Sequence, residues 1–285
     1  MAETGVEVSP GPVSDGLGAR YRERVAAPVE AEINTTIQHL KDSGAEVVVN
    51  YLPVGSNMAT RMWARIAIQA GCAFVNCIPE WIANDADMRM EFVKANLPLI
   101  GDDIKSQFGA TILHRVLTRL LRMKGMTLKR TYQLNFGGNM DFYNMLNDER
   151  LKTKKASKRG SVEAELDGAP AADIHISPTD HIAWLEDRKW CYIRCEAEAF
   201  GGSPLNLEVK LEVWDSPNSA GVVTDCIRLA KLALSAGEGG PIHPACQVNM
   251  KSPPEQQPDE AAIEELEQWI ASHSLLLAKP QGVTD

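Results

Sequence analysis

Aromatic residues are scarce in this chain of 285 residues, at 6%. Basic residues are the minority charge: 29 Lys and Arg stand against 38 Asp and Glu, for a formal net charge of −9. That balance argues against nonspecific binding to a nucleic-acid backbone, so no nucleic-acid partner is expected. Long apolar runs are missing too. None approaches the ~20 residues of a membrane span, so no membrane association is expected. The opening MAETGVEVSPGP has no basic stretch followed by an apolar one, and nothing in it reads as a secretion leader. Cysteine is sparse and scattered. Cys72, Cys77, Cys191, Cys195, Cys226 and Cys246 form no CxxC pair. They make no disulfide framework in a chain this long, and a cytoplasmic home is expected. Cys191 and Cys195 lie in a strand-like run, where four residues span roughly 13 Å, too far to share one metal without a bend. The expectation is small buried hydrophobes.

What is present is an ordinary globular balance, with 44% hydrophobic and 24% charged residues. The length suggests about two domains. Residues 27–42 look helical. Val47-Val48-Val49, Ala73-Phe74-Val75 and Leu97-Pro98-Leu99-Ile100 are short continuous apolar runs, as in strands buried on both faces. Between the first two lies a helix carrying Met58, Met62, Ile66 and Ala70, with Ser56 or Asn57 as its cap and Gly71 as its stop. Strands alternating with helices imply a parallel sheet with right-handed crossovers. Ligands bind such sheets at the carboxyl ends of the strands. Those ends are Tyr51-Leu52-Pro53, Asn76-Cys77-Ile78-Pro79 and Gly101-Asp102-Asp103.

The pattern then changes. A helix is expected from Gln107 to Met123 and a strand from Thr131 to Phe136. Cys191, Ile193, Cys195 and Ala197 alternate onto one face, as do Leu207, Val209, Leu211 and Val213, with a hairpin at Gly201-Gly202-Ser203-Pro204 between them. The expectation is an α+β unit on an antiparallel sheet over 104–213. Val223, Ile227, Ala230 and Leu234 return to helical spacing before Gly237, and a last helix spans 258–278. The divisions are 1–103, an insertion at 104–213, and a return at 214–285.

Several segments carry chemistry. Gly101 to Gln107 follows a strand and opens a helix, where free N–H groups, Ser106 and Lys105 could hold an anion. Lys152 to Arg159 is a dense basic run, in which Lys154 and Lys158 share a face if it is helical. Gly138 stands between Asn135 and Asn139, where backbone can approach another group closely. His114, on a leucine-rich helix, reads as structural.

Together these segments resemble the myo-inositol-1-phosphate synthase (inositol-3-phosphate synthase) family in its short prokaryotic form. The resemblance is carried by YLPVGS (51–56), GDDIKSQFGAT (101–111), LNFGGNMDFYNML (134–146), KKASK (154–158), WLEDRKW (184–190), PLNLEVKLEVWDSPNSAG (204–221) and MKSPPEQ (250–256). It implies an α/β fold with a Rossmann-like parallel sheet. The sheet would be incomplete, because the family's opening Gly-rich NAD-binding segment is missing ahead of Val47. It implies NAD-dependent isomerisation of D-glucose 6-phosphate to 1D-myo-inositol 3-phosphate by oxidation, enolisation, aldol cyclisation and reduction. By motif match, Lys154, Lys189, Lys251, Asp103 and Asp215 would be catalytic. Ser106, Gln107, Lys158 and Asn139 would hold the substrate. Leu52, Pro53, Asn76, Asp103, Asp215 and Ser216 would line the cofactor. A divalent or monovalent cation is used by some members, and the sequence leaves the metal open. A homotetramer assembled through the inserted sheet is implied, as are inositol and phospholipid biosynthesis. The alternative is a sugar-phosphate-binding paralogue, or a fragment, without NAD binding.

Overall fold

The computed structural model describes residues 5–6, 8–16, 26, 29–146 and 173–278. Its framework is two four-stranded sheets. The first holds β1 (Val47–Asn50), β2 (Ala73–Asn76), β3 (Pro98–Ile100) and β8 (Gly240–Pro241), all parallel and in that order. The strands are short, apolar and covered on both faces. On one face α2 (Asn57–Ala70) and α3 (Ala86–Ala95) set Ala64, Ala67, Met88 and Phe92 against Phe74 and Leu99. On the other, α6 (Asp215–Ala236) and α7 (His243–Asn249) set Cys226, Ala230, Ala233 and Cys246 against Val75 and Ile100. All six cysteines are buried and none is in a disulfide, as small hydrophobes. Gly71 and Gly237 end α2 and α6 in the left-handed region, at φ 81° and 70°, where a side chain would be strained.

Ser56 stands at the N-cap of α2 but makes no side-chain cap. The Asp15 carboxylate does so instead, accepting from Met58 N at 2.8 Å and Ala59 N at 2.7 Å. The first helix, α1, is Ile33–Asp42, shorter at its start than the expected span.

The second sheet has the order β5–β4–β6–β7, from β5 (Asp173–His181), β4 (Thr127–Gly137), β6 (Arg188–Glu198) and β7 (Pro204–Trp214). β4/β6 and β6/β7 are antiparallel, and a tight turn at Phe200–Gly202 joins β6 to β7. β5 joins β4 in parallel, so the sheet is mixed and not purely antiparallel. A parallel neighbour needs a crossover of a dozen or more residues, and the long stretch between Gly137 and Asp173 supplies it. Leu128, Cys191, Ile193 and Cys195 pack under α4 (Ala110–Met123), beside Leu113, Leu117 and Leu121. Among the described residues the remaining α-helices are α5 (Met140–Met145) and α8 (Asp259–Ala278). Among the described residues no helix is long and apolar enough to cross a membrane.

Candidate active site

A cavity of about 330 Å³ opens where the two sheets meet, within the range of small-molecule sites. One wall is built by the carboxyl ends of the parallel strands: Leu52 and Pro53 after β1, Ile78 and Pro79 after β2, and Asp103 after β3. The opposite wall comes from the second sheet and its flanks: Asn135, Asn139, Lys189, Asp215 and Ser216. The start of α4 and Lys251 close the ends.

Two lysine–aspartate pairs face this space. Lys189, opening β6, donates from Nζ to Asp215 Oδ1 at 2.9 Å. Lys251, just after α7, donates from Nζ to Asp103 Oδ1 at 2.8 Å, and its main-chain N–H donates to Asp103 O at 2.7 Å. Asp103 has φ 63°, an uncommon conformation for a residue with a side chain. Burial on its own would depress Lys189, but the Asp215 charge and hydrogen bond outweigh it, with help from Asp141 and Asp103. Lys189 is therefore held above its ordinary pKa. A lysine that exchanges protons near neutral pH needs a lowered pKa; Lys189 instead stays a charged donor.

Asn139 caps α5 by accepting from Phe142 N at 3.2 Å, and donates to Asp215 Oδ2 at 3.1 Å. It also lies 3.4 Å from Asp187 Oδ1. Asp187, which the sequence places only in a turn ahead of a strand, ties β6 to α6. It accepts from Ser216 N at 3.0 Å and from the Ser216 hydroxyl at 2.7 Å. The only sequence signal for it is an acidic residue directly before the strand that carries Lys189.

The helix after β3 starts at Ala110, not Gln107. The N–H groups of Gln107 and Phe108 are occupied by Asn218, through its main-chain and side-chain oxygens at 2.8 and 3.0 Å. The open helix start is Ala110-Thr111-Ile112, which lines the cavity beside Ser106 and Gly109. The first turn of a helix presents unpaired N–H groups and partial positive charge, so this is a place for an anion. Lys105 does not join it. Its side chain is buried and donates to Gln247 O at 2.9 Å, with Asp259 at 3.4 Å. Gln107 turns its amide oxygen toward Gly221 in α6. Asn76 is fully buried below the cavity and does not line it. Lys154 and Lys158 lie outside the described residues.

Gly138 confirms the close approach expected of it: a Cβ there would stand 2.4 Å from Glu186 N and 2.7 Å from Ile182 O. His114 is structural. It is buried, with Nδ1 3.3 Å from Gln133 Oε1 and Nε2 2.7 Å from Thr131 Oγ1. Among the described residues no group of three or more His, Cys, Asp or Glu is placed to hold a metal ion.

The parallel sheet, the mixed sheet and the cavity of paired lysines between them define an α/β protein with a small-molecule site. The family model for myo-inositol-1-phosphate synthase matches residues 109–216. The inositol-3-phosphate synthase of Corynebacterium glutamicum is 53% identical over 280 residues, covering 95% of this chain and 76% of that protein. The enzyme of the same name from Mycobacterium tuberculosis is 52% identical over 271 residues, covering 95% and 74%. Among solved structures, a myo-inositol-1-phosphate synthase-related protein from Thermotoga maritima superposes with a TM-score of 0.75 at 28% identity, over 86% of this chain and 74% of that one. The chain belongs to the myo-inositol-1-phosphate synthase family, and it is similar over most of its length to proteins named inositol-3-phosphate synthase.

Proposed function

We propose that this chain carries out the isomerisation of D-glucose 6-phosphate to 1D-myo-inositol 3-phosphate, with NAD as the hydride carrier. The observation that carries the reading is the cavity itself, which sets a helix N-terminus and two half-buried lysines around one space. The phosphate would be held by the first turn of α4 and by Ser106, with Lys158 and Gln107 as further donors carried over from the family resemblance. The charge-assisted hydrogen bonds of such a clamp contribute about 1.5–3 kcal/mol each.

The residues present fit a nicotinamide ring. Leu52, Pro53 and Ile78 form an apolar shelf at the strand ends, beside the Lys251–Asp103 pair. NAD, when bound there, accepts a hydride in the oxidation and returns it in the reduction. This chain's own residues do the rest. Lys189 stays protonated against Asp215 and donates to the oxygen on C5, where negative charge gathers as the enolate forms. Lys251 sits on the shelf side, hydrogen-bonded to Asp103, and relays the C5 hydroxyl proton to that carboxylate, its own proton passing to Asp103 as the amine takes the new one. Lys154 is its companion in the proton transfers. Asn139 positions Asp215 and the sugar hydroxyls beside it.

The experiment is turnover of glucose 6-phosphate by the 285-residue chain with NAD, read as inositol phosphate, with calorimetric titration of each ligand alongside. Inositol phosphate without net NADH supports the reading. Sugar-phosphate binding without NAD binding overturns it and leaves a binding protein. Net NADH formation overturns it in favour of a simple dehydrogenase.

The outer face of the mixed sheet fits a second copy of the chain, as the tetramer of the family would require. Phe136 stacks on Tyr192 with centroids 6.0 Å apart, and Lys210 covers Trp190 at 3.6 Å. Sedimentation of the protein and of Tyr192→Glu tests this: a tetramer that dissociates in the variant is the expected result.

A further inference from the structure

Three polar side chains stand in a row below the cavity, at the carboxyl ends of three neighbouring parallel strands. Asn50 ends β1 and pairs in register with Asn76, which ends β2. Asp102 follows β3. Their exposures are 4%, 0% and 0%, and none of them lines the cavity. Asn50 Nδ2 donates to Asn76 Oδ1 at 2.9 Å, and Asn76 Nδ2 donates to Asp102 Oδ1 at 2.7 Å. At the outer end Asn50 Oδ1 accepts from Leu52 N at 3.1 Å, at the root of the apolar shelf. At the inner end the Asp102 carboxylate gathers the main-chain N–H groups of Ile82, Ala83 and Asn84 at 3.1, 3.2 and 3.1 Å. The Asn84 amide bridges on: it donates to Asp102 Oδ2 at 3.1 Å and to Ser252 O at 2.7 Å. Asp102 and Ser252 also exchange main-chain hydrogen bonds at 3.0 and 3.1 Å. The next residue in each strip is a member of the cavity pair, Asp103 and Lys251.

We propose that Asp102 is a positioning residue of the reaction given above, fixing the Lys251–Asp103 pair and the Leu52–Pro53 shelf relative to one another through this row. Donor and acceptor sense runs through the row in one direction. A carboxylate only accepts, and five N–H groups converge on its two oxygens. It forces Asn76 to present nitrogen toward it and oxygen toward Asn50. Asn50 must then present its oxygen to Leu52. One buried charge sets the orientation of every amide in the row. An amide at position 102 would bring an N–H against N–H donors, and the row would lose its direction. Burial raises the carboxyl to about 6, so the ionised, accepting form is present at neutral pH.

The inference rests on the proposed reaction for its kinetic test and on the geometry alone for its second test. The variants are Asp102→Asn and, should that one fail to fold, Asn84→Ala, which cuts the bridge to Ser252 and leaves the carboxylate in place. The kinetic readout is the split between kcat and KM for glucose 6-phosphate. The expected result is a kcat lower by on the order of 10²-fold for Asp102→Asn, with KM within about two-fold, because misplacement by about 1 Å costs rate before it costs binding. The second readout is amide exchange at Ser252 and acylation of the Lys251 amine, compared with Lys189 in the same protein. Both rise at least several-fold at 251–252 and stay unchanged at Lys189. A folded variant with wild-type kcat and wild-type exchange at Ser252 overturns the proposal, as does exchange that rises uniformly over the whole chain. If the wild-type protein shows no turnover, the proposed reaction fails, and exchange and labelling still decide the role of Asp102.

Discussion

His114 gives a stability prediction whose size can be worked from its surroundings. The ring is fully buried between α4 and β4. Burial pushes it from 6.5 down to about 4, and the hydrogen bond to Gln133 recovers only part of that. The folded protein therefore keeps the imidazole neutral while the unfolded chain takes up a proton below pH 6.5. Across the window from 6.5 to about 4 the unfolded state holds more protons, so stability rises with pH and is lost on acidification. At 1.36 kcal/mol per tenfold change in the constant, the loss is roughly 3 kcal/mol. Asp102 works in the opposite sense. Its carboxyl is raised from 3.8 to about 6, so the folded state holds more protons in that range and gains stability as the pH falls. The His114→Gln variant keeps a hydrogen-bonding side chain but cannot titrate, and it leaves Asp102 untouched. Comparing the two proteins thus isolates His114. Urea unfolding of both at pH 7.5 and pH 4.5 is the assay. The wild type should lose roughly 2–3 kcal/mol more than the variant between the two conditions. Equal losses would refute the buried neutral ring.

Three other perturbations have outcomes fixed by the geometry. Gly138→Ala places a Cβ against the main chain of Glu186 and Ile182, neither of which can rotate away; thermal unfolding should show a loss of about 3 kcal/mol, the upper end for overpacking. Lys189→Met removes the amine that faces Asp215 and should lower kcat by on the order of 10²–10³ while circular dichroism stays native. Asp259→Ala takes away the carboxylate that Arg115 Nε meets at 3.0 Å and that Lys105 approaches at 3.4 Å. With both cations buried, urea unfolding should report about 3–5 kcal/mol lost. The Asp259 carboxyl is pushed up by burial and pulled lower overall by Lys105 and Arg115. Its contribution is therefore present above the ordinary carboxylate pKa and disappears as the pH falls through its lower folded value.

The parallel half of the fold was legible because burial on both faces leaves an unmistakable trace. Val47 to Val49, Ala73 to Val75 and Leu97 to Ile100 are apolar with no alternation, and each proved to be a strand or its immediate flank. The hairpin of β6 and β7 was legible for the opposite reason, its strict alternation over 191–197 and 207–213. β5 was not. Asp173-Ile174-His175-Ile176-Ser177-Pro178 offers only two apolar residues and a proline, which a strand tolerates at a sheet edge, and β5 is the edge. The true start of α4 was hidden as well. Asn218, distant in sequence, takes the N–H groups of Gln107 and Phe108 and holds them out of the helix. Lys105 was misread for a similar reason, because its partners Gln247 and Asp259 come from the far end of the chain. Local pattern showed which residues gather at the cavity. Which of them point into it was decided by long-range hydrogen bonds.

The charge layout of the cavity assigns its parts different tasks in the proposed reaction. Each wall brings its own neutral pair: Lys189 with Asp215 on the mixed-sheet side, and Lys251 with Asp103 on the parallel-sheet side. Neither lysine therefore offers a surplus positive charge to an arriving phosphate dianion. The first turn of α4 does, because its N–H groups carry partial positive charge and the turn itself holds no acidic residue. Phosphate and sugar ring are thus directed to different ends of one space. The ring lies between two cations whose charge is fixed in place before chemistry begins. Such an arrangement favours negative charge on the oxygen between the lysines only when it develops, and it does not tighten binding of the neutral sugar. Weakening either pair should therefore cost kcat, and altering the start of α4 should cost affinity. In kinetic terms, Asp215→Asn lowers kcat with KM nearly unchanged, and Ser106→Ala raises KM for glucose 6-phosphate with kcat nearly unchanged. The reverse pattern in either variant would mean that the phosphate sits among the lysines and that the division between the two ends of the cavity is wrong.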